Sequence, residues 1–308
     1  MNKTIRIGTR ESQLAVWQAD LVKDLLKRSG VTAELVFIKS EGDIDLVTPL
    51  YEMGVQGVFT RSLDAALLNN KIDIAVHSMK DVPTQLPKGI IQSAILQRAS
   101  YKDLLVYKDG TSIVNGQLTT DTNYIIATSS IRRKAQWLNK YPHHTIENLR
   151  GNVNTRLQKV KDNNWNGAIF AAAGLERINL RPENSIELDW MLPAPAQGAI
   201  MIVCREDDNF SFDACKQLND NNTAICTKIE RDFLRMLLGG CSTPISALAE
   251  IENDKIIFKG NICTVDGKQK IDINKIFDIA DANTAGTIAA NELLKNGGDA
   301  IVDSIRNV

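Results

Sequence analysis

The chain has 308 residues, 44% hydrophobic and 24% charged, with a formal net charge of −1. This is the balance of a water-soluble globular protein long enough to bury two or three cores. It excludes a nucleic-acid binder held by overall basic charge, and no apolar run reaches the ~18 residues of a membrane span.

Met1-Asn2-Lys3-Thr4-Ile5-Arg6 runs into a strand with no apolar leader before it, so a cytoplasmic location is expected. Thr4 to Ile7 reads as that strand, and Gly8 to Glu11 as a polar turn. Ser12 can cap a helix whose apolar face is Leu14, Trp17, Leu21 and Leu25, with Gly30 as its stop. Ala33 to Ile38 is a second strand. Gly42 to Gly57, with three glycines and a proline, reads as a long loop, a candidate lid. A helix with Leu63, Ala66 and Leu67 inward follows, and then the buried strand of Ile72 to Val76.

That strand leads into His77-Ser78-Met79-Lys80-Asp81-Val82-Pro83-Thr84. Pro83 cannot donate to a ladder and biases Val82 away from helix, so a loop begins near His77. Lys80 and Asp81 therefore stand at the carboxyl end of a strand, where open α/β sheets bind ligands. The pair reads either as a ligand site or as two solvated charges on a loop.

Ile90 to Leu96 is a further strand, after which the pattern breaks and restarts around residues 99–103. Tyr124 to Thr128 is a strand, and Ser129-Ser130 can cap a helix carrying Ile131, Ala135 and Leu138. The strand of Thr145 to Leu149 precedes Arg150-Gly151-Asn152 and a helix with Val153, Leu157 and Val160. Gly167 to Ala171 is a strand. Leu192-Pro193-Ala194-Pro195 marks a break, and Gln197 to Cys204 resumes as an apolar strand. This alternation predicts a mostly parallel sheet with right-handed crossovers. Thr223 to Leu238 reads as an amphipathic helix with Ile225, Ile229, Phe233, Met236 and Leu237 on its apolar face, ended by Gly239-Gly240. Two antiparallel strands, 245–251 and 255–264, a Val265-Asp266-Gly267 turn and a helix over Asn283 to Lys295 complete the chain.

The five cysteines (Cys204, Cys215, Cys226, Cys241 and Cys263) are odd in number and widely spaced, without a Cys-x-x-Cys, which argues against a disulfide framework and a zinc site. The three histidines are His77 and the adjacent His143-His144, and no metal site is expected.

The arginines are unevenly spread. Of fifteen, six fall between residues 132 and 181: Arg132, Arg133, Arg150, Arg156, Arg177 and Arg181. Arg132 and Arg133 open a helix after a Ser-Ser cap, Arg150 sits at a strand end, and Arg156 begins the next helix. Arg10 and Ser12 repeat the arrangement at the first strand–helix junction. Helix N-termini offer free N–H groups, and guanidinium adds bidentate geometry for carboxylate or phosphate, so a small polyanion is the expected ligand. No Walker motif and no G-x-G-x-x-G occurs. Cys241 lies in Gly239-Gly240-Cys241-Ser242-Thr243-Pro244, where glycines allow close approach of a ligand, though a free cysteine also reads as a small buried hydrophobe.

Taken together, seven motifs in order resemble the porphobilinogen deaminase (hydroxymethylbilane synthase) family. They are residues 10–15, 77–84, 128–133, 149–157, 171–177, Ala196-Gln197-Gly198-Ala199 and Gly239-Gly240-Cys241. The resemblance implies an α/β fold of two type II periplasmic-binding-protein-like α/β domains joined by hinge strands, plus a small C-terminal α+β domain. The expected boundaries are 1–99 with 200–217, 100–199, and 222–308. It implies a dipyrromethane cofactor joined by a thioether to Cys241. Onto it four porphobilinogens are added with loss of ammonia, before water releases the linear tetrapyrrole of haem biosynthesis. By the same resemblance Asp81 is the catalytic carboxylate, stabilising the azafulvenium cation left by ammonia loss. Arg10, Ser12, Lys80, Ser129, Ser130, Arg132, Arg133, Arg150, Arg156, Arg177, Gln197 and Gly198 bind cofactor and substrate. A monomer with no nucleic-acid or membrane partner is implied.

The chain departs from the family pattern in two places. Gln56 stands where a lysine is usual, with Arg61-Ser62 in place of a Lys-Glu pair, and Pro195-Ala196 replaces Val-Gly. The competing reading is a non-enzymatic two-lobed protein that closes on a dicarboxylate or oxyanion. It uses the arginines equally well but leaves Cys241 and the third domain without a role.

Overall fold

The computed structural model describes residues 3–40, 59–114, 117–118, 123–237 and 243–306. The expected lid, Gly42 to Gly57, and Cys241 lie outside the described residues. The rest form two compact units, one of residues 3–40, 59–99 and 198–225, the other of 100–114, 117–118, 123–197, 226–237 and 243–306.

The first unit begins with β1 (Ile5–Thr9), α1 (Gln13–Arg28), β2 (Ala33–Phe37), α2 (Arg61–Leu68), β3 (Ile74–Ser78) and β4 (Ile90–Ile95). The chain then supplies β5 (Asp103–Tyr107), β6 (Ile113–Val114), β7 (Gln117–Leu118), β8 (Ile125–Ala127), α3 (Ile131–Lys140), β9 (Thr145–Glu147), α4 (Val153–Asp162), β10 (Gly167–Ala171), α5 (Ala172–Glu176) and β11 (Ser185–Glu187) to the second unit. It returns to the first with β12 (Ile200–Arg205) and α6 (Asn209–Lys216). After α7 (Asn221–Met236) come β13 (Ile245–Glu252), β14 (Lys255–Cys263), β15 (Lys270–Asp278), α8 (Ala282–Leu293) and α9 (Asp299–Arg306).

Each unit holds a five-stranded sheet, and the two sheets have one connectivity. The first runs β2-β1-β3-β12-β4, the second β9-β8-β10-β5-β11. In each, the first three strands are parallel and the fourth is antiparallel to its neighbours. That antiparallel strand, β12 or β5, is the first one made after the chain passes into the unit. Each sheet is therefore mixed, with two parallel and two antiparallel pairings, where a mostly parallel sheet was expected. The strand β5 went unread, because Lys102 and Asp103 break the apolar run that Leu104 restarts.

Strand β3 lies between β1 and β12, and Ile74, Ala75 and Val76 are at most 4% exposed. A strand covered on both faces reads as a continuous apolar run, as this one does. Helix α1 is capped by the Ser12 hydroxyl, which accepts from the Ala15 N–H at 3.4 Å. Its buried stripe is Gln18, Ala19, Val22 and Leu26, one position round from the expected face. Trp17, Leu21 and Leu25 only flank the core. Gln18, on this stripe, hydrogen-bonds beneath the helix instead of reaching water. Each fully buried Ile or Leu here contributes about 1.5–3 kcal/mol.

The C-terminal part is the antiparallel sheet β13-β14-β15 with helices against it. Phe233 of α7 and Phe258 of β14 pack with their rings tilted 59° and centroids 5.0 Å apart. Helix α8 approaches α7 so closely that a Cβ on Gly286 would stand 2.3 Å from the Ile229 carbonyl oxygen. Met236, expected on the inner face of α7, is instead 36% exposed, because the helix buries Ile229, Phe233 and Leu237 along a stripe that passes it by. The turn at Gly267 (φ +74°) docks on α3, with Asn139 donating to its carbonyl at 2.8 Å.

Candidate functional site

In the first unit, β1 and β3 are parallel, so Arg10 and Ser12 after β1 share a sheet edge with Lys80 and Asp81 after β3. Residues Met79–Asp81 form a single 3-10 turn, closed by the Val82 N–H on the Met79 carbonyl at 3.1 Å. The turn is anchored on both sides. The Met79 N–H donates to the Ala199 carbonyl at 3.0 Å, and the Met79 side chain is 2% exposed. Beneath it the Gln18 amide donates to the Ser78 hydroxyl at 2.9 Å. Lys80 and Asp81 are left half-buried at the edge. The Arg10 guanidinium lies over the Phe59 ring, 4.3 Å from its centroid, a cation–π contact. His77 is buried, and burial, with the charge of Arg10 adding to it, lowers its pKa to about 4, so the imidazole is neutral at physiological pH.

In the second unit the carboxyl ends of β8, β9 and β10 likewise share an edge. Ser130 caps α3, its hydroxyl accepting from the Arg133 N–H at 3.4 Å, a contribution of about 1 kcal/mol. The Ser129 hydroxyl donates to the Leu149 carbonyl at 2.6 Å and accepts from the Leu149 N–H at 2.9 Å, so it pins the loop that presents Arg150. Arg150 is 3% exposed, at the bend made by Gly151 (φ +110°). Asn152, absent from the expected site, caps α4 by accepting from the Thr155 N–H at 3.0 Å, and so orients Arg156 one turn later. Arg177 follows α5, and burial lowers its pKa to about 10, with Glu176 opposing the shift. It stays charged at neutral pH.

Arg132 and Arg133 are 4% and 6% exposed and converge on one carboxylate that the sequence did not reveal. Asp103, fully buried at the start of β5, accepts from Arg132 Nη2 at 2.8 Å, from Arg133 Nη2 at 2.7 Å and Nε at 3.1 Å, and from Gln197 Nε2 at 2.8 Å. Arg132 Nη1 also donates to the Leu192 carbonyl, and Arg133 Nη1 to that of Ile169. Burial lowers the Arg132 pKa, Asp103 opposes this, and Arg133 adds to it. A lone acid beside a lysine at a strand start reads as a turn residue, so nothing local marks Asp103.

Gln197 also donates to the Tyr101 carbonyl at 2.8 Å. Gly198 (φ +89°) belongs to the first unit, where its carbonyl accepts from the Ala99 N–H at 3.1 Å. Ala196 adopts φ +62°, the left-handed region, where an alanine costs about 1 kcal/mol and a glycine would carry no such strain. Its N–H donates at 2.6 Å to Glu230, a fully buried carboxylate that also accepts from the Ala249 N–H at 2.8 Å.

The described cysteines are all buried. Burial raises the thiols of Cys204 to about 11 and of Cys215 and Cys263 to about 12, which leaves them protonated and unreactive. Among the described residues no group of three or more potential ligands could hold a metal ion, and no helix is long and apolar enough to cross a membrane.

Two family models match the chain: "Porphobilinogen deaminase, dipyromethane cofactor binding domain" over residues 5–212 and "Porphobilinogen deaminase, C-terminal domain" over 224–295. Similar curated proteins named porphobilinogen deaminase include those of Syntrophotalea carbinolica (39% identity, covering 99% of this chain and 96% of the relative), Chlorobium phaeobacteroides (38%, 99% of each) and Campylobacter hominis (40%, 96% of each). Solved structures with similarity include an ancestral cationic amino acid solute-binding protein (16% identity, 70% of this chain and 87% of that one, TM-score 0.45) and an ancestral arginine-binding protein (14%, 71% and 92%, TM-score 0.41).

Proposed function

The chain belongs to the porphobilinogen deaminase family, and from that premise we propose that Asp81 is its catalytic carboxylate, Cys241 its cofactor attachment point, and the arginine-lined strand edges its carboxylate-binding surface. The reaction joins four porphobilinogens head to tail, each losing ammonia, on a dipyrromethane primer, and ends with hydrolytic release of hydroxymethylbilane. The observation that carries the reading is the charge balance beside Ser130. Two buried guanidinium cations share one carboxylate, so among the described residues the pair carries one more positive than negative charge at a strand edge. Buried charge requires a counter-charge, and each pyrrole brings an acetate and a propionate.

The dipyrromethane fits these residues. Arg132, Arg133, Arg150, Arg156 and Arg177, with Ser129 and Ser130 fixing their loops, would hold its carboxylates. When bound it supplies the electron-rich pyrrole to which the next unit is joined. The other three cysteines with raised pKa values are poor nucleophiles, which supports Cys241 as the thiolate.

Asp81 acts on the incoming unit. Loss of ammonia leaves a cation whose charge is shared with the pyrrole nitrogen. A carboxylate fixed on the anchored turn stabilises that charge and accepts the N–H hydrogen bond. Lys80, Arg10 and Ser12 lie on the same sheet edge and pair with substrate carboxylates. Gly198 lets the returning chain make its bend, and Gln197 holds Asp103.

We assign residues 1–99 with 200–217, 100–199 and 222–308 to three domains of a cytoplasmic monomer. A receptor without catalysis has no use for Cys241. Intact mass of the purified chain tests the proposal: wild type carries an increment of two pyrrole units, reacts pink with acidic dimethylaminobenzaldehyde and consumes porphobilinogen. Cys241→Ser does none of these, while Cys204→Ser does all three. A Cys241→Ser protein that still carries the increment overturns the assignment.

A further inference from the structure

We infer that Asp103 is the positioning residue of Arg132: it never meets substrate, but with Arg133 braced beside it, it sets the direction and net charge with which Arg132 meets pyrrole carboxylates. The inference rests on the functional reading above and concerns how that same site is tuned.

The geometry is over-determined. Adjacent residues on a helix diverge by about 100°, so Arg132 and Arg133 would ordinarily point apart. Both instead turn onto Asp103, Arg132 through Oδ2 and Arg133 through two bonds to Oδ1. The carboxylate is itself immobile. Its residue pairs with Ala171 in the β10–β5 ladder, its carbonyl accepts from the Leu188 N–H at 2.8 Å, and Gln197 holds Oδ1. It is 0% exposed, so water plays no part in screening it.

The electrostatics follow. The two cations stand in the first turn of α3, where the helix dipole already disfavours positive charge. Asp103 offsets one of them, so among the described residues the pair has a single net charge to offer. The fork of Arg132 is also only partly used. Of its five N–H bonds, two are engaged among the described residues, by the Leu192 carbonyl and Asp103. Fixing those two determines where the others point. Arg133 spends its Nε and Nη2 on Asp103 and its Nη1 on Ile169, so it is the more structural of the two. Asp103 thus makes one arginine a pillar and the other a presented donor.

The test is a double-mutant cycle of Asp103→Asn with Arg132→Gln. It is read on kcat/KM for porphobilinogen and, separately, on the fraction of purified chain carrying the two-pyrrole mass increment. Asp103→Asn is expected to lower kcat/KM about 10- to 100-fold, as misplaced catalytic or binding groups do, and to lower the loaded fraction. In the Arg132→Gln background the same change is expected to have less than a fifth of that effect on kcat/KM, because the residue acts through Arg132. Additive losses overturn the inference, as does a loss in melting temperature with kcat/KM and loading unchanged. If Asp103→Asn does not accumulate as folded protein, Gln197→Met, which removes the amide holding Oδ1 together with its bond to the Tyr101 carbonyl, carries the same cycle, and the coupling to Arg132 separates the two. A few-fold loss coupled to Arg132 supports the inference, and an unchanged or uncoupled kcat/KM overturns it. Wild-type protein that neither carries the increment nor consumes porphobilinogen defeats the functional reading itself, a result distinct from these.

Discussion

The Gln18 amide and the Ser78 hydroxyl meet at 2.9 Å beneath the turn that carries Lys80 and Asp81, and Gln18 is 2% exposed. A polar side chain this deep is retained only where its partner is fixed, so the contact ties α1 to the end of β3. Gln18→Leu keeps the volume and leaves the Ser78 hydroxyl without that amide. Loss of such a buried hydrogen bond costs about 1–3 kcal/mol. Because Ser78 precedes the turn, kcat is expected to fall by about tenfold or more. Ser78→Ala should do the same, and steady-state kinetics with melting curves on both variants checks it. A Gln18→Leu protein with full kcat would show the contact to be packing alone.

Asp81→Asn keeps size and removes charge. If the carboxylate stabilises the cation left by ammonia loss, turnover should drop by roughly 10²–10³-fold, the effect of removing one preorganised electrostatic group. The half-buried position predicts little change in melting temperature. Asp81→Glu should retain measurable activity. Single-turnover ammonia release on cofactor-loaded protein is the measurement, and normal release by the Asn variant would refute the role.

Glu230 holds the strained Ala196 N–H and the Ala249 N–H with its two oxygens. Glu230→Gln replaces one acceptor by an NH2 that faces an N–H, so one buried donor is left facing another. About 1–3 kcal/mol should be lost, read as a lower melting temperature and faster hydrogen exchange at residues 196 and 249. Ala196→Gly relieves the left-handed strain and should recover part of that loss in the double variant. Undiminished stability in Glu230→Gln would mean the carboxylate is dispensable.

His77 and Asp73 both contribute to the acid limb of stability. The folded pKa of His77, about 4, lies below its unfolded value near 6.5, so the unfolded chain binds the extra proton and stability falls as pH drops from about 6.5 towards 4. Asp73 follows. Burial pushes its carboxyl up, but hydrogen bonds from the Arg6 side chain and backbone, with the charges of Arg6 and Lys3, bring it to about 2. Its stabilisation is present above about 4 and is lost between 4 and 2. Urea unfolding against pH should show both steps, each of order 1–3 kcal/mol. His77→Gln should remove the first and Asp73→Asn the second. A single step below pH 4 in wild type would contradict the His77 assignment.

The sequence by itself determined much of the strand and helix order, though not β5, β11, α6, β15 or α9, together with the caps at Ser12 and Ser130, the strand-end positions of Arg10, Lys80, Asp81 and the arginine cluster, and the family. These are local or near-local properties. Apolar spacing sets the period, a hydroxyl three residues before an N–H sets a cap, and parallel topology sends strand ends to one edge. Only the tertiary structure decided that Arg132 and Arg133 share Asp103 across some 30 residues, that Glu230 reaches back 34 residues to Ala196, and that Gln18 turns inward to Ser78 across 60. The reason is one of desolvation. A polar or charged group is kept in the interior only by a partner that packing brings to it, and that partner's place in the chain leaves no period to read. The same holds for Met236, whose exposure depends on which stripe of α7 the β13–β15 sheet and α8 happen to cover.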